Sequence, residues 1–162
     1  MSTFAAAPAL EVEQWFNTRE ALQLDALRGK VVVIEAFQML CPGCVSHGIP
    51  QAQRIHDIFS REDVVLLGLH TVFEHHEAMT PVSLAAFLHE YKVTFPVGVD
   101  RAGAAGMPCT MSAYALQGTP SMVLVDARGQ LRKQWFGTAP DLVVGAEIMR
   151  LISERPLQTA AS

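Results

Sequence analysis

Only three of the 162 residues are cysteines, an odd number that argues against a framework of paired disulfides as the source of stability. Charge of one sign never accumulates either. The 12 basic residues are scattered among 16 acidic ones for a net charge of −4, and no Lys/Arg run interleaved with aromatics offers a track for a phosphate backbone, which excludes nucleic acid as a natural partner. Apolar stretches fall far short of the roughly 20 residues that a bilayer-crossing helix needs, so no membrane partner is expected. Residues 1–17 carry no basic segment, and Glu11, Glu13 and Gln14 arrive before any long apolar block. The expectation is a cytoplasmic protein, or a periplasmic one if an export segment was removed. Internal repeats and low-complexity tracts are absent as well.

What the chain does have is apolar content, half of its composition, enough for one compact domain with a substantial core and too little length for a second. Residues 1–162 therefore read as a single domain with a core over about 15–153, an N-terminal extension, and a frayed tail at 155–162. The run Val31-Val32-Val33-Ile34-Glu35-Ala36-Phe37 is the strongest strand signal, fit for burial on both faces of a parallel sheet with Glu35 as its one interruption. Further strands are expected at Val12–Phe16, Val64–Leu69, Phe95–Val99, and in a hairpin of 121–125 with 130–136 turning at Asp126-Ala127-Arg128-Gly129. Apolar residues at three- and four-residue spacing predict a helix from Cys41 to about Phe59, kinked at Pro50. Thr80 and Pro81 read as N-cap and first residue of a second helix reaching Tyr91. A short helix near Ser112–Leu116, after a Gly/Ala-rich loop, and an amphipathic helix over 141–154 complete the chain.

Directly after the main strand stands Cys41-Pro42-Gly43-Cys44. A strand that turns into a helix places Cys41 at the helix N-terminus, where unpaired backbone N–H groups and the macrodipole stabilise an anion, here a thiolate. Cys44 lies one turn on, close enough to close a disulfide. Competing readings are half of a zinc site or two core thiols, but a zinc site needs a second Cys/His pair at comparable spacing, and the sequence offers none. Cys41 is thus the attacking thiol, Cys44 the resolving one, and Pro42 and Gly43 the residues that tune the potential and border the substrate.

The order strand, Cys-x-x-Cys helix, strand, helix, hairpin, closing helix is that of a thioredoxin fold, a central mixed β-sheet flanked by helices. The chain resembles the TlpA-like thiol-disulfide oxidoreductases of the thioredoxin-like superfamily, a redoxin or AhpC/TSA type of domain. LQLDALRGK (22–30) is similar to that family's lead-in, VVVIEAF (31–37) to its strand, CPGC (41–44) to its active site, Gly118-Thr119-Pro120-Ser121 to its cis-proline loop, and Val123-Leu124-Val125-Asp126 with Gly129 to its hairpin. Leu40 stands where the family often has tryptophan. The resemblance implies thiol-disulfide exchange with protein thiols and a redox partner, no organic cofactor and no metal. It also implies that Pro120 is cis, with the Thr119 backbone free to hold an extended substrate as an added strand. Glu35 matches the thioredoxins' buried acid, a carboxyl whose raised pKa would suit a general base for Cys44.

Two further residues are candidate modulators. His47 lies one turn after Cys44, and Cys109 sits in the loop before the short helix, expected on the same side of the sheet as Cys41. His70, Glu74, His75 and His76 read as a solvated polar loop rather than a metal site. The rival functions are a peroxiredoxin-like peroxidase, which needs an arginine beside the thiolate and shows none next to Cys41, a dithiol/histidine metal-binding module, and a structural adaptor indifferent to loss of both thiols.

Overall fold

The structure, a computed structural model, describes residues 3–157. Its frame is the strand β2 (Val31–Phe37), buried at all seven positions, as its unbroken apolar sequence requires. β2 pairs in parallel with β3 (Val64–His70) and antiparallel with β5 (Ser121–Val125). β4 (Val97–Asp100) adds in parallel to β3, β1 (Val12–Phe16) antiparallel to β4, and β6 (Leu131–Phe136) antiparallel to β5. The result is a six-stranded mixed sheet in the order β1-β4-β3-β2-β5-β6, the thioredoxin fold.

Alternation along β2 divides the core in two. Val31, Val33 and Phe37 face helices α1 (Ile49–Ile58), α2 (Pro81–Glu90) and α4 (Asp141–Ser153), packing with Ala52, Ile55, Leu84, Val144, Ile148 and Leu151. Glu35 belongs to this pleat. Val32 and Ile34 face the other way, onto Leu67, Leu69, Val123, Val125, Tyr114, Leu24 and Leu10. Each fully buried aliphatic side chain of this kind contributes about 1.5–3 kcal/mol.

Local signals account for most boundaries. Thr80 caps α2 by accepting from the Ser83 N–H at 3.3 Å, with Pro81 as the first helical residue. The helix after Cys41 departs from the expected form. It opens at Pro42, widens into a π turn over Cys44–Gly48, in which the Ile49 N–H donates to Cys44 O, and only then becomes α1. The irregularity is this wide turn just upstream of Pro50, where the proline's missing N–H would otherwise leave a gap in the α-helical ladder. The short helix α3 spans Cys109–Ala113 rather than Ser112–Leu116, because Pro108 takes the N-cap position.

Residues before β1 are part of the body. The Leu131 N–H donates to Ala5 O (2.8 Å) and the Ala7 N–H to Gly129 O (2.9 Å), both at the β5–β6 hairpin, while Tyr114 Oη donates to Pro8 O at 2.7 Å. Leu10 is buried, so the core reaches back beyond residue 15. The segment 5–11 thus crosses the second face of the sheet, from the hairpin at one edge to β1 at the other. At the far end, the Arg155 guanidinium donates to Gly29 O (3.4 Å) and Glu62 O (3.3 Å) and pairs with Asp63 at 2.5 Å. The tail beyond it, 158–162, lies outside the described residues.

Candidate active site

β2 ends at Phe37, and the lead-in Gln38-Met39-Leu40 delivers Cys41 to the N-cap position of the following helix, with Pro42 in the first turn, where no N–H is needed. Cys41 Sγ accepts the Cys44 N–H at 3.3 Å, as a serine or aspartate oxygen would at an N-cap. Its thiol donates to Thr119 O at 3.5 Å. Cys41 is partly exposed, whereas Cys44 is wholly buried in the helix-bearing core. Burial, and then the neighbouring Cys41, push the Cys44 thiol up to about 12, so it is protonated at neutral pH. Pro42 is exposed, Gly43 half-buried, and a Cβ on Gly43 would come within 3.3 Å of Pro120 Cδ.

Glu35 is buried beneath this corner. Desolvation, followed by the charge of Cys41, raises its carboxyl well above the ordinary range, and Oε1 has no hydrogen-bond partner. Room for that carboxyl comes from Gly48 at the end of the π turn. A Cβ there would collide with Glu35 Oε1 and come within 2.9 Å of Pro120 Cβ. The wide turn, the acid and the proline loop are therefore fitted to one another.

The Thr119–Pro120 bond is cis, and the loop lies against Cys41. The Thr119 carbonyl is occupied by the Cys41 thiol rather than free, and Pro120 O accepts the Gly137 N–H at 2.8 Å. Gly118 passes so close to Phe136 that a Cβ would come within 2.9 Å of its ring. Phe136 and Leu40 remain 60% and 57% exposed, which leaves apolar surface at both ends of this corner.

Sequence reasoning passed over Gln38. Its side chain is buried, with Nε2 donating to Thr119 Oγ1 (3.5 Å) and Oε1 accepting the N–H groups of Phe73 (3.2 Å) and Glu74 (3.3 Å); its own carbonyl accepts the Cys41 N–H at 3.2 Å. A lone amide inside the apolar lead-in before CPGC was the available signal.

The remaining candidates differ in how they relate to this cluster. His47 is half-buried with Nε2 unpartnered, and it is absent from the groups that shift Cys44. Cys109 begins α3 after β4, separated from Cys41 by the strand β3, and its thiol donates to Ala102 O at 3.6 Å beside Arg101. His70 corrects the polar-loop expectation. It is the last residue of β3, buried, tilted against Phe37 at 5.1 Å, and its Nε2 accepts the Met39 N–H at 3.3 Å. Desolvation pushes its pKa down to about 4, so the ring is neutral. Glu74, His75 and His76 are exposed, as expected. Among the described residues, no group of three or more His, Cys, Asp or Glu is placed to hold a metal ion, and no helix is long and apolar enough to cross a membrane.

With this geometry in view, relatives can be compared. The AhpC/TSA family matches residues 5–134. The crystal structure of the thioredoxin-like superfamily protein SPOA0173 is 59% identical, with a TM-score of 0.92, covering 94% of this chain and 99% of that one. A thiol-disulfide isomerase from Corynebacterium glutamicum is 48% identical, with a TM-score of 0.86, covering 91% and 97%. Protein DipZ of Mycobacterium bovis is 25% identical over 157 residues, 95% of this chain, which spans 22% of the length of DipZ. The match takes in β2, the dithiol turn and the proline loop together, and on it the chain belongs to the AhpC/TSA family, as a thiol-disulfide oxidoreductase of the thioredoxin fold.

Proposed function

We propose that Cys41 and Cys44 exchange a dithiol for a disulfide with extended segments of protein substrates. The Cys41 thiolate attacks one sulfur of a substrate disulfide; that S–S bond breaks, a Cys41–substrate bond forms, and one substrate thiolate leaves. Cys44, having lost its proton, attacks Cys41 Sγ, releases the second substrate thiol and leaves an intramolecular disulfide. Two electrons pass from protein to substrate, and the reverse sequence oxidises a substrate dithiol. A redox partner of the same chemistry returns the pair to its starting state.

The observation that carries this reading is the asymmetry of the thiols, with an accessible Cys41 capping a helix and a Cys44 that burial keeps protonated. Resolution then requires a base, and the partnerless buried carboxyl of Glu35 supports that assignment. Thr119, next to Pro120, supplies the backbone edge against which substrate pairs, and Pro42 and Gly43 border it.

Trapping is the decisive experiment. Cys44→Ser should accumulate mixed disulfides with substrate proteins and Cys41→Ser should accumulate very few, as read on non-reducing gels. Equal trapping by both variants would refute the division of labour. Peroxide consumption by the wild-type protein in the absence of any disulfide would instead favour a peroxidase.

A further inference from the structure

We infer that Gln38 is a positioning residue that holds the substrate-pairing edge at Thr119 and the loop after β3 in fixed relation to Cys41. The inference rests on the reading of Thr119 as the substrate edge. Two loops meet at this one side chain, and the nucleophile meets the residue's backbone. Oε1 accepts from the Phe73 and Glu74 N–H groups, Nε2 reaches Thr119 Oγ1, and the residue's own carbonyl receives the Cys41 N–H. Two loops far apart in sequence are thereby tied through the side chain of one residue, 3% exposed, whose backbone holds the nucleophile.

The chemistry suits the task. An amide supplies an acceptor and a donor on adjacent atoms without charge, so it can grip a backbone turn on one side and a hydroxyl on the other. A carboxylate would lose the donor and bring a negative charge to a site that must stabilise a thiolate. The lead-in carrying Gln38 is itself fixed, since the Met39 N–H is taken by the neutral His70 ring and the Thr71 N–H donates to Phe37 O at 3.1 Å. The Nε2–Oγ1 contact is long at 3.5 Å, and contacts of this kind shorten once substrate fills a site. Phe73 and Glu74 then form a third wall, beside the lead-in and the proline loop, against which an extended chain is aligned.

The test separates positioning from chemistry. Gln38→Met keeps volume and removes every polar contact of the side chain. With reduced protein in stopped flow, its half-saturation concentration for a peptide disulfide should rise about tenfold, a loss of about 1.4 kcal/mol. The limiting rate, and the reaction with the small disulfide dithiobis(nitrobenzoate), which needs no groove, should stay within about twofold of wild type, since the change falls on binding. Thr119→Val, which removes only Oγ1, should likewise raise the half-saturation concentration for the peptide, and the double variant should be no worse than Gln38→Met alone. Should Gln38→Met fail to fold, Thr119→Val still reads the same contact. Equal losses toward peptide and small disulfide, or full additivity of the two substitutions, would overturn the inference. Wild-type protein inert toward both disulfides would instead overturn the proposed function.

Discussion

At the scale of single residues, the two thiols of one motif are made unlike by their surroundings. Cys41 sits at a helix start with a partly open side chain; Cys44 is sealed in the core. Iodoacetamide should therefore modify Cys41 well before Cys44 at pH 6–8, with mass mapping as the readout, and faster labelling of Cys44 would contradict the assignment. Glu35 yields a second expectation. Its folded-state pKa lies above that of the unfolded chain, so the folded protein keeps a proton that the unfolded one has released. The stability attached to this group is full below the ordinary carboxyl range and is lost as pH rises through the folded-state pKa. Glu35→Gln should flatten that decline in melting temperature against pH. It should also slow release of the mixed disulfide, on the order of a hundredfold. An unchanged resolving rate would make Glu35 a structural residue only. Cys41, Cys44, Glu35, Thr119 and Pro120 were legible because a spacing or a resemblance marks each of them. Gln38 and the buried state of His70 were not, because their partners, Phe73, Thr119 and Met39, lie about 30 to 80 residues away and no local pattern encodes such pairs.

Among the elements, the helix after the thiols carries the most specific device. Its apolar spacing is the same for an α-helix and for one interrupted by a π turn, so the sequence showed Pro50 but not the turn before it. The strands, by contrast, were visible from β-branched runs such as Val31–Val33, and α2 from its Thr80-Pro81 cap. Gly48 closes the wide turn against both Glu35 and Pro120. Gly48→Ala should cost about 1–3 kcal/mol in chemical denaturation, the usual range for overfilling a packed site, although alanine is the better helix former. A gain in stability would mean that the carboxyl and the proline loop yield easily.

For the molecule as a whole, the sheet is dressed unequally. The long helices α1, α2 and α4 cover one face, while the other is closed by residues 5–11, Leu24 and Tyr114. That Ala/Pro-rich start has no hydrophobic period to read, since it is held largely by backbone bonds to the distant hairpin. Leu10→Ala should lower stability by about 2–5 kcal/mol, as expected for a buried leucine, while the Cys41 alkylation rate remains that of wild type. A loss below about 0.5 kcal/mol, the surface range, would show the segment to be ornamental.

The same segment bears on how the protein folds. Residues 5–7 pair with residues 129–131, far along the chain. The second core cannot be completed until the hairpin is in place, so until then the edge of β2 that pairs with β5 and the apolar pleat of Val32 and Ile34 stay open. Contacts of such long sequence separation slow folding and prolong exposure to aggregation. Refolding is accordingly expected to leave this second core open to aggregation until residues 5–7 and the hairpin have met.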